Sequence, residues 1–278
     1  MPPATDTPAP ERIYRHSVIV RVTHWINVVC LALLLFSGLM IFNAHPALDW
    51  GHTSDFERPW VQIDAEYGKD GEPVKGFTRI GGVTFDTTGL LGLSGSGEER
   101  EARAFPRWIT IPDDHDLATA RRWHFFFAWL FVVNGLVYLV SGLVRRHFSR
   151  DLVPTRPQLK GIGHAFVEHL RLRFPKGDEA KQYNVLQKLA YLGVIFVLLP
   201  VMVLAGMALS PALDALLHLN AFFGGRQSAR TIHFIVANLL VLFVLVHVVM
   251  VLISGVWNNL RSMVTGRYDI EPADKLRD

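Results

Sequence analysis

Four long apolar stretches dominate the hydrophobic pattern of the chain. Each exceeds the ~18 apolar residues that mark a membrane-spanning helix. They cover approximately residues 18–43, 119–144, 184–209 and 231–257. An even number of spans places both termini on the same side of the membrane. The pattern therefore predicts an all-α integral membrane protein, a four-transmembrane-helix bundle with a long polar loop, 44–117, between spans one and two.

The 44–117 loop is longer than a simple connection needs, since most connections in compact folds are a few residues long. Its stretch FTRIGGVTFD alternates around Gly81-Gly82, which predicts a β-hairpin over Phe77 to Asp86. The stretch RWITIP, residues 107–112, is a candidate for a short additional strand. Such an ordered loop is either a docking surface for an outside partner or a lid over a buried cofactor, and the sequence leaves both open.

The regions around the spans complete the domain organisation. Residues 1–17 are predicted to be a disordered N-terminus, residues 18–257 the four-helix domain, and residues 258–278 a C-terminal tail. After span two, apolar residues recur at helical spacing among basic ones, which predicts an amphipathic helix over 159–174 on the membrane surface. These apolar residues are Leu159, Ile162, Phe166 and Leu170.

Charge gives the expected orientation. Half of the residues are hydrophobic and the mean hydropathy is +0.24, which is high for a soluble domain. Residues 145–181 are rich in arginine and lysine, whereas the first half of the 44–117 loop is acidic. The positive-inside rule therefore places both termini in the cytoplasm and the 44–117 loop outside. The sequence shows no basic patch with interleaved aromatic residues, so we expect no nucleic-acid partner.

Four histidines lie inside the predicted spans: His24 in span one, His124 in span two, and His233 and His247 in span four. The last two are fourteen residues apart, so they leave one helix face within about 40° and lie roughly 21 Å apart along the axis. The span directions place His24 and His247 near the cytoplasm (the inner pair) and His124 and His233 near the outside (the outer pair). The spacing thus predicts two histidine pairs at two membrane depths.

Paired histidines in an apolar span indicate a metal centre more than a structural role, although a single histidine could bond a backbone carbonyl. A zinc site would need four ligands, and each depth offers two. A flat macrocycle with two axial ligands from opposed helices fits this number. The sequence has no C-x-x-C-H motif for covalent haem attachment, and its one cysteine, Cys30, lies in span one. The small residues that could let a macrocycle approach the backbone are Gly38, Gly135, Gly142, Gly206 and Gly255.

The motifs R-V-T-H-W in span one, R-R-W-H at the start of span two and H-x13-H in span four resemble those of the bacterial di-haem b-type cytochromes. This family includes the membrane cytochrome b subunits of formate dehydrogenase-N, nickel–iron hydrogenase and thiosulfate reductase. The resemblance extends over all four spans. It implies two haems b in the bacterial inner (cytoplasmic) membrane, one ligated by His24 and His247 and the other by His124 and His233. It also implies a quinone site beside the inner haem. The 44–117 loop departs from the family and leaves the partner open.

Quinone reduction consumes protons, so its site needs a haem edge, an apolar slot and polar groups that face water. The cytoplasmic end of the bundle offers all three, with the amphipathic segment 159–174 as one wall. His16 has an ordinary pKa range suited to proton exchange near neutrality. The polar candidates for the quinone site are His16, Arg21, Asn27, Tyr183 and Gln187. Each could also serve as an interfacial anchor or a helix cap.

The main functional prediction is an electron-transfer subunit of an oxidoreductase complex, with no catalytic residues of its own. It would carry electrons between an extracytoplasmic redox enzyme or cytochrome subunit and the quinone pool. An alternative is a self-contained haem b oxidoreductase that exchanges electrons between quinone and a small reactant such as superoxide. A third is a haem-free anchor or transporter whose histidines relay protons or carry metal ions.

Overall fold

A computed structural model of the chain describes residues 11–170 and 184–270. The chain divides into two compact units. Unit one comprises Met1–Trp25, Gly135–Leu199 and Leu240–Asp278, and unit two comprises Ile26–Asn134 and Pro200–Leu239. Each unit contains parts of all four spans, so the division runs across the helices rather than between them.

The helices confirm the predicted fold class, since four helical segments are long and apolar enough to cross a membrane. The helices, in chain order, are α1 (Val18–Asn43), α2 (Leu117–Val144), α3 (Arg156–Lys160), α4 (Ile162–Leu170), α5 (Val185–Gly193), α6 (Leu199–Leu209), α7 (Pro211–Leu217), α8 (Leu219–Phe222), α9 (Arg226–Ile253) and α10 (Val256–Thr265). Helices α1, α2 and α9 form spans one, two and four. Span three consists of α5, a π-helical turn at Val194–Leu198, and α6.

Two local features explain departures from regular helix. Pro200 cannot donate a backbone hydrogen bond to the preceding turn, and the π-helical turn of span three lies directly before it. Span four was predicted to run to residue 257, but α9 ends at Ile253. Gly255 takes a φ of +105°, which interrupts the helix, and α10 begins at the next residue.

Short strands flank the spans. Those in the described residues are β1 (Glu11–Tyr14), β2 (Ala47–Leu48), β3 (Val61–Tyr67), β4 (Pro73–Ile80), β5 (Val83–Asp86), β6 (Gly92–Ser94), β7 (Glu101–Arg103) and β8 (Arg267–Ile270). Strands β2 to β5 form an antiparallel sheet in sequence order, β6 pairs with β7, and β1 pairs with β8.

The predicted hairpin is present in the 44–117 loop of unit two. Ile80 of β4 faces Val83 of β5 across a two-residue turn, and Gly81 and Gly82 both have positive φ, as that turn requires. The additional strand predicted at residues 107–112 is wrong. Arg107–Ile109 forms a single 3₁₀ turn, because prolines on both sides of the segment remove backbone donors that a strand would use.

The β-sheet of unit two packs on the ends of two spans. Leu48, Val61 and Ile63 are buried with Phe42 of α1, whose ring stacks on Phe234 of α9 at a centroid distance of 4.9 Å. The segment between β2 and β3 is also hydrogen-bonded to the first turns of α9. Thr231 donates to the Asp49 carbonyl at 2.5 Å, and Ser228 accepts from the Gly51 amide at 2.7 Å. The loop is therefore an ordered part of unit two.

The terminal segments of unit one also differ from the prediction. Residues 11–14 were expected to be disordered and 258–278 to form a tail, but β1 pairs with β8, and α10 leads into β8. Arg12 and Arg261 both pair with Asp269, at 2.8 and 2.5 Å. Trp25 of α1 donates to the Met263 carbonyl of α10 at 3.0 Å, which joins α10 to span one. The remaining terminal residues lie outside the described part of the chain.

The predicted surface helix is only partly described. Helices α3 and α4 cover 156–160 and 162–170, and the rest of the predicted segment lies outside the described residues. The side chains of Leu159, Ile162 and Phe166 are exposed, as expected for a helix whose apolar face contacts lipid.

Candidate functional site

The outer pair is brought together in unit two. His124 of α2 and His233 of α9 have ring centroids 6.3 Å apart, and their planes differ by 63°. The prediction from span direction and spacing therefore agrees with the geometry of this pair.

Hydrogen bonds fix the protonation of both outer rings. The Ser37 hydroxyl donates to the Leu33 carbonyl at 2.6 Å and lies 3.1 Å from Nδ1 of His124. Because the hydroxyl proton is used on Leu33, Nδ1 of His124 is the donor to Ser37. Nδ1 of His233 donates to the Met202 carbonyl at 3.2 Å. A neutral ring with its proton on Nδ1 has Nε2 unprotonated, which is the form that binds a metal.

The inner pair is brought together in unit one. His24 of α1 and His247 of α9 have ring centroids 6.4 Å apart, again with planes at 63°. Packing rather than hydrogen bonding orients this pair in the described part of the chain. Phe243 stacks on His247 at 6.1 Å with an interplanar angle of 19°, and Tyr191 meets the edge of Phe243 at 6.3 Å.

The ring separations fit one metal ion between each pair. Since a metal-bound imidazole nitrogen lies about 2.0–2.1 Å from the ion, two rings that face one ion have centroids about 6.3 Å apart. The observed separations of 6.3 and 6.4 Å match this value at both depths. Two ligands per ion suit an iron whose other four ligands come from a porphyrin. The residues present therefore fit haem.

The structure shows what each span glycine faces, and the predicted approach of a macrocycle to these glycines stays a prediction. A Cβ on Gly38 would lie 3.4 Å from Cε1 of His124, and a Cβ on Gly206 would lie 3.1 Å from Cε1 of His233. These two glycines make room for the outer histidine rings themselves. Gly142 faces the Phe148 ring, and Gly255 separates α9 from α10. Their shared effect is close packing behind the ligands and at helix ends.

The described residues predicted for the quinone site have different surroundings, and their joint role in a quinone site stays a prediction. Asn27 belongs to unit two, where its side-chain oxygen accepts from Asn134 at 2.8 Å. Gln187 caps α5 through the Asn184 amide at 3.3 Å. Arg21 donates to the Val264 carbonyl. Tyr183 lies outside the described residues. Among the four candidates in the described residues, His16 is the one whose side chain has none of these helix contacts or caps.

The surroundings of His16 change its expected chemistry. Burial lowers the pKa of the His16 imidazole to about 4, and nearby Arg15 and the imidazoles of His24 and His147 act in the same direction. Proton exchange near neutrality, expected from the sequence, is therefore not what the structure supports at His16. His147, which the sequence analysis did not select, pairs with Asp151 at 2.6 Å. The sequence could have indicated this pair, because His147 and Asp151 are four residues apart directly after span two.

Four apolar spans with two histidine pairs, each spaced for one porphyrin iron, define a membrane-bound b-type cytochrome. The chain belongs to the family of prokaryotic cytochrome b561, which it matches over residues 15–266. It is also similar to the putative protein-methionine-sulfoxide reductase subunit YedZ1 of Azospira oryzae. The two are 28% identical over 236 residues, which cover 85% of this chain and 89% of the relative. No solved structure matches the chain.

Family membership confirms the predicted resemblance to bacterial b-type cytochromes. It establishes a multi-pass membrane protein with a cytochrome b electron-transfer role, and haem b as the family's cofactor.

Replacing Gly206 with alanine is expected to disturb the outer pair. The added methyl group would crowd Cε1 of His233 at 3.1 Å, so the ring or span three must move. We expect a loss of stability on the order of 1–3 kcal/mol and a shifted absorption spectrum for one haem. Gly193→Ala in the same span, whose Cβ meets nothing within 4 Å, is the control. Identical thermal unfolding and spectra in the two variants would contradict this role for Gly206.

Proposed function

We propose that the chain carries electrons through two bis-histidine haems b, between a redox partner outside the cytoplasm and the quinone pool. The observation that carries this proposal is the repeated geometry of the two histidine pairs, with centroids 6.3 and 6.4 Å apart and the same 63° angle. His124 and His233 would hold one haem and His24 and His247 the other. Haem b supplies reversible one-electron transfer when bound.

The protein's contribution is to hold four imidazoles in a fixed form. At the outer pair, Ser37 and the Met202 carbonyl fix the tautomer and the ring orientation. At the inner pair, Phe243 fixes the plane of His247. Two axial histidines leave no open coordination position, so substrates are expected to exchange electrons at the edge of the site rather than bind the iron.

Different parts of the ordered 44–117 loop support its two candidate roles, which are a lid over the cofactor and a docking surface for a partner. Residues 45–51 are hydrogen-bonded to the start of α9, next to His233, and suit a lid. The β4–β5 hairpin instead exposes apolar side chains at Ile80, Val83 and Phe85. The relative from Azospira oryzae is named as a subunit of a reductase. This supports a redox enzyme as the partner that the hairpin contacts.

A quinone site in unit one is supported by its titratable groups. The orientation from the positive-inside rule places this unit on the cytoplasmic side, where protons for quinone reduction would be taken up. The His147–Asp151 pair, 2.6 Å apart at the end of span two, combines an imidazole with a carboxylate, the kinds of side chain that relay protons. It replaces His16 as our main candidate for delivering protons to the quinone.

The first test counts haems and assigns their ligands. Pyridine haemochrome analysis of the purified protein should give two haems b per chain. His124→Ala and His233→Ala should each remove the same haem, and His24→Ala and His247→Ala the other, because each pair holds one iron. The exposed His52, changed to alanine, is the control and should leave both haems in place. A single haem, or a covalently attached one, would contradict the proposal.

The hairpin test asks whether β5 contacts the partner. Val83 and Phe85 share one face of the strand, and their joint replacement by threonine keeps strand propensity while removing apolar surface. Electron entry from the co-purified partner should slow by on the order of tenfold, with both haem spectra unchanged. Thr84→Ser on the opposite face is the control. Equal rates in both variants would remove the docking role.

The quinone test compares two similar ion pairs. His147 with Asp151 in unit one and His115 with Glu101 in unit two both have a nitrogen–oxygen distance of 2.6 Å. His147→Gln and Asp151→Asn should slow quinone turnover several-fold without changing the haem spectra, because proton delivery is lost. His115→Gln should have no effect. If His115→Gln slows turnover as much as His147→Gln, the quinone site is not where we place it.

A further inference from the structure

Three of the four candidate ligands have an arginine three residues before them in the sequence. The pairs are Arg21–His24, Arg121–His124 and Arg230–His233. Lysine and arginine together make up 28 of 278 residues, so composition alone does not account for this repetition. Residues three apart are neighbours on one helix face, and in each pair the arginine lies one turn nearer the helix N-terminus. His247 has Val244 at the corresponding position.

Arg21 lies one helical turn from His24 of the inner pair, and some of its N–H donors are not used within the part of the protein that the structure describes. One terminal nitrogen donates to the Val264 carbonyl, and Nε is buried without a hydrogen-bond partner among the described residues. A buried N–H group without an acceptor costs about 1–3 kcal/mol. The arrangement therefore fits an acceptor that binds between Arg21 and the histidine one turn deeper in the membrane.

Arg230 has a comparable position in the outer pair. Its guanidinium donates to the His45 carbonyl and lies 5.8 Å from the centroid of the Phe42 ring. The side chain is thus held against the protein instead of extending to water. That hydrogen bond uses one of the five N–H donors of a guanidinium. The Asp49 carboxylate also interacts electrostatically with Arg230, and a ligand one turn from His233 would share the remaining donors with it.

Arg121 is more exposed than Arg21 and Arg230, and its side chain extends along α2. Its guanidinium lies 5.8 Å from the centroid of the Phe125 ring, one turn further along α2 and next to His124. The neighbouring Arg122 differs, since it donates to Thr119 at 2.9 Å, back toward the start of the helix. Of these two adjacent arginines, Arg121 extends along α2 past the level of His124, whereas Arg122 is bonded back toward the helix start.

We propose that Arg21, Arg121 and Arg230 bind the propionate groups of the haems. This inference rests on the two-haem function proposed above. Haem b has two carboxylates at one edge of the ring, and a guanidinium matches a carboxylate in charge and in paired donor geometry. Each R-x-x-H element would then hold the iron through histidine and a propionate through arginine. The outer haem would receive two such arginines from its ligand helices and the inner haem one.

The main alternative is that these arginines anchor the span ends to lipid phosphates. Under that reading, Arg121 and Arg122 should behave alike, because they are adjacent in sequence and carry the same charge. Under our proposal they should differ, because they leave α2 about 100° apart. A cation beside a haem favours the reduced iron, so its removal lowers the midpoint potential of that haem.

The test uses the purified full-length protein with Arg21→Gln, Arg121→Gln and Arg230→Gln, and Arg122→Gln as the matched control. Optical redox titration gives the midpoint potential of each haem, and resonance Raman gives the propionate bending bands. The inner haem is the one that His24→Ala removes. Arg21→Gln should lower the midpoint and shift the bands of the inner haem. Arg121→Gln and Arg230→Gln should do so for the outer haem, and Arg122→Gln for neither. Lysine at these positions should restore the midpoint in part.

The outcomes separate this inference from the function on which it rests. If the wild-type protein lacks two haems, the proposed function fails before any variant is compared. If Arg122→Gln shifts the outer haem as much as Arg121→Gln, or the propionate bands stay unchanged throughout, the propionate role is wrong. Loss of only the expected haem from a glutamine variant supports it, since the other haem reports a folded chain. Loss of both haems from Arg21→Gln and Arg21→Lys, with both retained in Arg122→Gln, overturns it.

Discussion

An imidazole inside a hydrocarbon layer must have partners for its polar atoms, and this requirement arranges the spans around the histidines. A shift of one residue along a helix turns a side chain by about 100°. His233 and His247 can therefore both serve as ligands only at spacings close to whole numbers of turns. Span one and span two must then present His24 and His124 to the two positions on α9. The glycines behind the outer rings, Gly38 and Gly206, give the helices the close approach that this arrangement needs.

The spans were predictable because hydrocarbon thickness sets their length, and α1 has the predicted bounds at both ends. The start of α9 was placed five residues too late, since it begins at Arg226 and not at residue 231. Its first turns contain polar residues that lower the local hydropathy. Ser228 and Thr231 bond the 44–117 loop there. Such contacts stabilise a helical turn without leaving any apolar pattern in the sequence.

The strands show which pairings a sequence reveals. The β4–β5 hairpin was predictable because its two-glycine turn is local. The pairing of β1 with β8, which joins Glu11 to Ile270, was not, because nothing in either four-residue strand specifies a partner so distant in sequence. The same limit applies to the site. The histidine pairs follow from helical spacing, but the Met202 carbonyl that fixes His233 has no sequence signature, since every residue carries one.

The two histidine pairs differ in their surroundings in a way that suits different tasks. The outer pair has both rings fixed by hydrogen bonds and is bordered by an ordered sheet, which favours one geometry and excludes water. The inner pair is held by aromatic packing on Phe243, and titratable groups such as His147 and Asp151 lie in the same unit. A site that exchanges only electrons benefits from rigidity, because little reorganises when charge arrives. A site that also exchanges protons needs ionisable groups within its own unit. Both units contain a histidine–carboxylate pair, His147–Asp151 in unit one and His115–Glu101 in unit two. The proposed membrane orientation, and not the presence of such groups, is therefore what assigns proton exchange to the inner pair.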